Sequence, residues 1–166
     1  CEFLGSAGTL IHASKLRNLA HVMPKSKWDE VDVYENAIEG HTYAMSVDVS
    51  RGVGLDYSAF IVIDITQMPY KLVCKFRSKD ISPLVYPTII YNTAKHYNEA
   101  FVLVEVNDIG QQVADILHQD LEYENMLATT VKGRAGQQIS GGFSGKSSMG
   151  IRTTKQVKRI GCSNLK

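Results

Sequence analysis

The stretch Tyr43-Ala-Met-Ser-Val-Asp-Val-Ser50 alternates between apolar residues and small or polar ones, and its sixth residue is acidic. Successive side chains of a β-strand point to opposite faces, so Met45, Val47 and Val49 share one face and Asp48 points to the other. A carboxylate among strand residues costs several kcal/mol to desolvate unless a charged partner meets it. The stretch therefore predicts a strand with an apolar face and an acid that needs a partner, for which a metal ion is suitable.

A second strand-forming run, Phe101-Val-Leu-Val-Glu-Val106, also has an acid near its end. Its apolar residues predict a central strand covered on both faces, with Glu105 near the carboxyl end, where open α/β sheets usually place their sites. If the two strands are neighbours, Asp48 and Glu105 could bind one divalent cation, and oxygen ligands suit magnesium or manganese. Each acid taken alone could instead cap a turn or a helix. The pair, with its flanking sequences, favours the metal site.

Length and composition restrict the class of protein. A chain of 166 residues suits one domain, and no run approaches the roughly 20 apolar residues of a membrane span, so we expect a soluble protein without a membrane partner. The first residue is Cys1 and no signal segment follows it, which predicts a piece of a longer, non-secreted polypeptide. Three cysteines without Cys-x-x-Cys spacing and five histidines without ligand spacing argue against disulfides and zinc, and favour a cytoplasmic setting.

Charge is distributed unevenly along the chain. Residues 1–130 contain all 17 acidic residues and 10 basic ones, for a net charge of −7. Residues 131–166 contain no acid and eight basic residues, namely Lys132, Arg134, Lys146, Arg152, Lys155, Lys158, Arg159 and Lys166. A basic segment beside an acidic site is typical of enzymes that act on a phosphate backbone, although a solvated tail has the same composition.

The order of the predicted elements indicates the fold. The elements are strands at 43–50, 57–65 and 70–77, a helix at 82–97 starting at Ser82-Pro83, a strand at 101–106, a helix capped by Asp108 and ending near 118, and a strand at 126–131. The first three strands have short connections and form an antiparallel meander. The sequence thus predicts an α/β fold with a mixed sheet flanked by helices, in the order of a ribonuclease H-like domain.

The segment 133–150 has six Gly and four Ser, which predicts a basic hairpin or loop. Its run Ser140-Gly-Gly-Phe-Ser-Gly-Lys-Ser147 has neither the glycine spacing nor the preceding apolar strand of a nucleotide-binding loop, so no nucleotide cofactor is expected. A basic helix follows, with Thr153 or Thr154 as its cap. We expect Lys132, Arg134, Lys146, Arg152 and Lys155 to contact the phosphate groups of a nucleic-acid backbone.

Three motifs resemble a known family. They are Asp48-Val-Ser-Arg-Gly-Val-Gly-Leu-Asp56-Tyr-Ser-Ala59, Leu103-Val-Glu-Val-Asn-Asp-Ile-Gly110 and Gly150-Ile-Arg-Thr-Thr154. In this order they resemble the nuclease domain of the large terminase subunit of tailed bacteriophages, most closely the T4 type. The resemblance implies a ribonuclease H-like domain that follows an ATPase domain in the same polypeptide. It further implies an endonuclease that cuts concatemeric viral DNA during genome packaging, with little sequence specificity.

The resemblance also implies roles for individual residues. Asp48 corresponds to the first catalytic acid and Glu105 to the second, both as ligands of Mg²⁺, for which Mn²⁺ is a substitute, while Asp56 corresponds to a supporting or alternative ligand. The family's third acid would lie beyond Lys166, so a nuclease domain at 41–166 would be truncated at its C-terminus, and 1–40 would be the lead-in from the ATPase domain. The implied partners are double-stranded viral DNA, the portal and the small terminase subunit, on the prohead in the cytoplasm of the infected host.

Two alternatives remain at this point. The chain could be another ribonuclease H-like nuclease, such as a junction resolvase or a transposase, which would cut a defined DNA structure. It could instead be a non-catalytic module that grips DNA for the packaging motor, in which case a charge-neutral substitution at Asp48 would leave its function intact. Zinc fingers and a clear helix-turn-helix pair are absent from the sequence, which fits contact with the phosphate backbone under each hypothesis.

Overall fold

The computed structural model describes residues 15, 18, 21–131, 137–141 and 147–164. The chain divides into two compact units, the larger of which is Pro24–Arg152, while the smaller includes the described part of Thr153–Lys166. Among the described residues, no helix is both long enough and apolar enough to cross a membrane.

A six-stranded mixed sheet forms the centre of the larger unit. Its strands are β1 (Ser26–Trp28), β2 (Val31–Val33), β3 (Tyr43–Asp48), β4 (Ser58–Asp64), β5 (Lys71–Ser78) and β6 (Phe101–Val104), in the spatial order β1-β2-β5-β4-β3-β6. β3, β4 and β5 form the predicted antiparallel meander, and β6 pairs in parallel with β3. A parallel neighbour needs a crossover, and the chain between β5 and β6 supplies one.

Helices and a second sheet complete the described chain. The helices are α1 (Tyr86–His96), α2 (Gly110–Asp115), which continues as a π-helical turn at Ile116–Asp120, and α3 (Lys155–Asn164) in the smaller unit. The second sheet contains β7 (Leu127–Val131), β8 (Gln137–Gly141) and β9 (Ser147–Met149) in the antiparallel order β8-β7-β9. The predicted α/β fold with a mixed sheet is confirmed.

The apolar core lies on one face of the six-stranded sheet. Met45 and Val47 of β3 are buried, whereas Asp48 on the opposite face is exposed, as the alternation predicts. The rings of Phe60, Phe76 and Tyr86 stack in pairs with centroids 5.2 to 6.2 Å apart, within the range that aromatic pairs prefer. This stack packs β4 and β5 against α1. It lies on the core face of the sheet, opposite the face that carries Asp48.

The sheet begins before residue 41. Within the predicted lead-in over 1–40, β1 and β2 belong to the sheet, with Val31 and Val33 in the core, and the role of this segment as a link from an ATPase domain stays a prediction. The buried Tyr97 hydroxyl donates a hydrogen bond to the carbonyl oxygen of Glu35, at 2.8 Å, and so attaches this segment to the end of α1. Strands of three residues are too short for periodicity to identify, because the pairing of β1 with β2 and of β2 with β5 is what makes them strands.

Two predicted helix starts are wrong. Ser82 begins a turn, in which its carbonyl oxygen accepts the Val85 N–H at 3.0 Å, and α1 starts at Tyr86 with Pro87 in its first turn, where proline is tolerated. Asp108 does not cap α2, because its backbone adopts φ 50° and its carboxylate is paired with Arg51. The cap predicted at Thr154 is confirmed, since its hydroxyl accepts the Val157 N–H at 3.2 Å.

The glycine- and serine-rich segment contributes β8 and β9 to the second sheet, and β8 pairs antiparallel with β7. A strand follows Lys146, where a nucleotide-binding loop would require a helix, which agrees with the exclusion of that loop. Lys132, Arg134 and Lys146 lie outside the described residues.

The pair of His41 and Asp64 predicts a pH dependence of stability. Burial by itself would raise the pKa of Asp64, but hydrogen bonds from Thr66 and His41 outweigh it and lower the pKa to about 2 from 3.8. Because the folded-state pKa is lowered, the stabilisation is complete above about pH 4 and is lost as the pH falls toward about 2.

We expect Asp64→Asn to destabilise the protein at neutral pH, with a difference from the parent that shrinks on acidification. Urea denaturation of both proteins from about pH 6 to about pH 3 measures this difference. A difference that stays constant over the whole range would contradict the assignment.

Candidate metal centre

The parallel pairing of β3 and β6 brings Asp48 and Glu105 together. Val47 is in register with Val104, and the Glu105 N–H donates to the Val47 carbonyl oxygen at 2.8 Å. The two acids therefore lie side by side at the same end of adjacent strands, close enough for Glu105 to raise the pKa of Asp48. Glu105 is partly buried, and Asp48 is open to solvent on the face opposite the core.

The electrostatics of this pair favour a bound cation. Partial desolvation raises the pKa of Asp48, and so do the charge of Glu105 and the hydrogen bond to it, while the N–H of Val49 lowers it less. Desolvation and the neighbouring acid thus disfavour the charged form of Asp48, and a divalent cation held by Asp48 and Glu105 would offset that cost.

The donor set fits magnesium in part. Within the described ranges no group of three or more His, Cys, Asp or Glu side chains is arranged to hold a metal ion, so the described centre provides two carboxylates. Magnesium in proteins is commonly bound by one or two carboxylates, with water and substrate phosphate completing its octahedron. Asp48 and Glu105 therefore suit a site that is completed by the substrate.

Neighbouring residues orient Glu105. The side-chain amide of Asn107 donates to Glu105 Oε1 at 2.9 Å, which leaves the second oxygen available to a ligand. Gly110 begins α2 directly against the carbonyl oxygen of Glu105, where a Cβ atom would overlap it. Gly150 has φ +74° and lies against the carbonyl oxygen of Val104, where a Cβ atom would also overlap.

The roles of Asn107, Gly110 and Gly150 were not predicted from the sequence, although all three lie in the motifs quoted above. Asn107 and Gly110 follow Glu105 within five residues, and this closeness in sequence was the only indication that they act on it. Their contacts depend on how the backbone turns after β6.

The turn between β3 and β4 contains Asp56. Its Oδ1 accepts the N–H of Tyr57 at 2.8 Å, and its charge contributes to the raised pKa of Asp48. Asp56 is thus close enough to influence the pair electrostatically but is exposed and has a local hydrogen bond of its own. Its role as a supporting or alternative ligand remains a prediction.

A bidentate ion pair joins the same turn to the loop after Glu105. Arg51 Nε and Nη2 each lie 2.8 Å from a carboxylate oxygen of Asp108. The hydrogen bond raises the pKa of Arg51 and lowers that of Asp108. Both side chains are mostly exposed, at 68% and 62%, so the pair orients the two loops more than it stabilises the fold.

The expected DNA contacts are only partly described. Ile151 pairs in parallel with Glu105, so Arg152 follows at this end of the sheet. Lys155 is the first residue of α3 in the smaller unit. With Lys132, Arg134 and Lys146 outside the described residues, the DNA-binding role of all five basic residues stays a prediction.

The chain belongs to the terminase RNase H-like domain family. The family model matches residues 45–165, a range that includes Asp48, Asp56 and Glu105. The predicted membership in a terminase family with an RNase H-like domain is confirmed, and the narrower T4 type is not distinguished by the match.

Solved structures show a similar fold. Crystal structures of the large terminase nuclease from thermophilic phage G20c with bound magnesium, cobalt and zinc match 87% of this chain, with TM-scores of 0.61, 0.59 and 0.58. Sequence identity is 16%, 19% and 19%, so the likeness concerns the fold. This chain covers 62%, 62% and 68% of the respective structures.

Gly110→Ala tests the close packing under Glu105. We expect a loss of about 1–3 kcal/mol in the free energy of unfolding, because the new Cβ atom must displace the Glu105 backbone. Gly161→Ala in α3 is the matched control, since no atom of the described residues lies within 4 Å of the position its methyl group would occupy, and alanine favours a helix. Urea denaturation compares the two variants, and equal stabilities would contradict the packing argument.

Proposed function

We propose that this chain is a metal-dependent endonuclease that cuts viral DNA during genome packaging. The observation that supports the proposal best is the meeting of the Asp48 and Glu105 carboxylates at adjacent strand ends, in a domain of the terminase RNase H-like family. The cleaved bond is a phosphodiester, and hydrolysis at such a centre requires no protein nucleophile.

Asp48 and Glu105 are proposed as the residues that hold the catalytic metal. A bound divalent cation would supply charge stabilisation and an activated water for phosphodiester hydrolysis. Asn107 holds one Glu105 oxygen, and Asp56 adds negative charge beside Asp48. We propose Mg²⁺ as the physiological ion with Mn²⁺ as a substitute, because carboxylate oxygens suit both. The magnesium, cobalt and zinc in the phage G20c nuclease structures support a divalent cation in general.

The family and the charge distribution support a proposal for the substrate and setting. We propose double-stranded concatemeric DNA as the substrate, bound with low sequence specificity through the acid-free segment 131–166. Lys132, Arg134, Lys146, Arg152 and Lys155 are its proposed phosphate contacts. The proposed context is a large terminase subunit of the T4 type with a preceding ATPase domain, acting with the portal and the small subunit on the prohead in the host cytoplasm.

The alternatives weighed from the sequence are not favoured. A resolvase or transposase would share the two acids, but the matched family model is that of a terminase. A passive DNA-gripping module would have no need for an acid whose pKa is raised by desolvation and by the charge of a second acid beside it.

Cleavage of supercoiled plasmid with Mg²⁺ or Mn²⁺ tests the proposed activity. We expect Asp48→Asn to reduce cleavage at least about a hundredfold, because even residues that only orient metal ligands change activity by about 10–100-fold. Asp120→Asn removes an exposed carboxylate from the π-helical turn and should cleave like the parent. Parent and Asp48→Asn proteins that cleave equally would refute the assignment of Asp48.

Thermal stability with Mn²⁺ tests metal binding independently of cleavage. A ligand at about 100 times its Kd stabilises the folded state by about 2.7 kcal/mol, so the parent should melt at a higher temperature with the ion. Asp48→Asn and Glu105→Gln should each lose most of this shift, whereas Asp120→Asn should keep it. A shift of the same size in all four proteins would show that the ion binds elsewhere.

A further inference from the structure

We propose that Tyr57, Arg77 and Lys79 form a DNA-phosphate contact on the same face of the sheet as Asp48. These three residues are called the cationic platform. The proposal rests on the proposed function, because it names a surface that would position DNA for the Asp48 and Glu105 centre. None of the three residues belongs to the basic segment 131–166.

The strand register places the platform beside the metal centre. Asp48 of β3 is in register with Ala59 of β4, which is in register with Arg77 of β5. Residues in register on adjacent strands point to the same face, and strands are about 4.8 Å apart, so the backbone of Arg77 lies roughly 10 Å from that of Asp48. Tyr57 precedes β4 two residues before Ala59 and therefore faces the same way.

Two cations share one aromatic ring in the platform. Arg77 Cζ lies 3.5 Å from the centroid of the Tyr57 ring, and Lys79 Nζ lies 4.8 Å from the same centroid. Stacking holds the guanidinium plane flat on the ring, while its N–H groups remain at the edge, where they can donate to a phosphate.

Neither cation has an acidic partner among the described residues, since no ion pair within 4.0 Å involves Arg77 or Lys79 there. Lys75, two residues before Arg77 and on the same face, differs because it lies 3.6 Å from Asp32. The unneutralised charges of the platform are therefore available to an external anion.

The distance between the platform and Asp48 matches the spacing of a DNA backbone, which favours DNA over an acidic protein as the bound anion. A span of roughly 10 Å equals about three steps of 3.4 Å along one strand of a duplex, so one backbone could contact both the platform and the metal centre. Arginine donates two parallel hydrogen bonds to a phosphate, and lysine adds a point charge. The exposed side chains of Arg77 and Lys79 leave this approach open.

The test measures binding without cleavage, with duplex DNA and the full chain bearing Asp48→Asn. Adding Arg77→Ala and Lys79→Ala should weaken binding about tenfold and reduce the slope of log K against log salt by about 1–2 between about 50 and 200 mM salt. Lys27→Ala with Lys71→Ala removes the same charge elsewhere, from lysines whose nearest carboxylate oxygens are each 3.9 Å away, and should change the slope little.

Substitutions of Tyr57 distinguish an effect of the platform's geometry from an effect of lost positive charge, because they leave both cations in place. Tyr57→Phe keeps the ring and should keep the affinity, whereas Tyr57→Ala removes the support of the guanidinium and should weaken binding several-fold. Far-UV circular dichroism of each variant confirms that it is folded.

The outcomes distinguish the two proposals. If the Asp48→Asn protein binds DNA and the platform variant binds with an unchanged salt slope, the platform is overturned while the proposed function stands. If the Asp48→Asn protein fails to bind DNA even at low salt, the proposed function and the platform fail together. Equal losses in the platform variant and the Lys27 and Lys71 variant would also overturn the platform, because they would show a nonspecific charge effect.

Discussion

The backbone hydrogen bond from Glu105 to Val47, at 2.8 Å, holds two acids at adjacent strand ends, and the geometry of the candidate centre depends on it. Without the parallel register of β3 and β6, Asp48 and Glu105 would be separate carboxylates on two strands. With it, the two acids are neighbours, and desolvation together with the charge of Glu105 raises the pKa of Asp48. The charged form of Asp48 is therefore disfavoured, and a divalent cation bound at this position would offset that cost.

Close backbone packing supports this register from two sides. Gly110 lets α2 begin against the carbonyl oxygen of Glu105, and Gly150 lets the chain after β9 approach the carbonyl oxygen of Val104. Ile151 then continues the parallel pairing beside Glu105. A side chain at either glycine would move the strand end on which Glu105 depends, so these positions act on the site through packing.

The two faces of the sheet have separate physical roles. The face with Met45, Val47 and the stacked rings of Phe60 and Phe76 supplies the apolar burial that stabilises the fold. The opposite face presents Asp48 and tolerates the unfavourable carboxylate pair because the core offsets its cost. One sheet can thus combine a stable core with a charged surface. Such a surface suits a polyanion when a bound cation and basic side chains neutralise the acids.

Local patterns in the sequence determined the meander of β3, β4 and β5, the exposed side of Asp48 and the position of Glu105 at a strand end, because period-2 alternation and short connections are local features. The motifs also identified the family. The start of α1 at Tyr86, the pairing of Asp108 with Arg51, and the sheet membership of β1 and β2 were decided by tertiary structure. So was the contact of Asp48 with Glu105, since residues far apart in the chain meet through strand pairing, and local periodicity contains no information about which strands become neighbours.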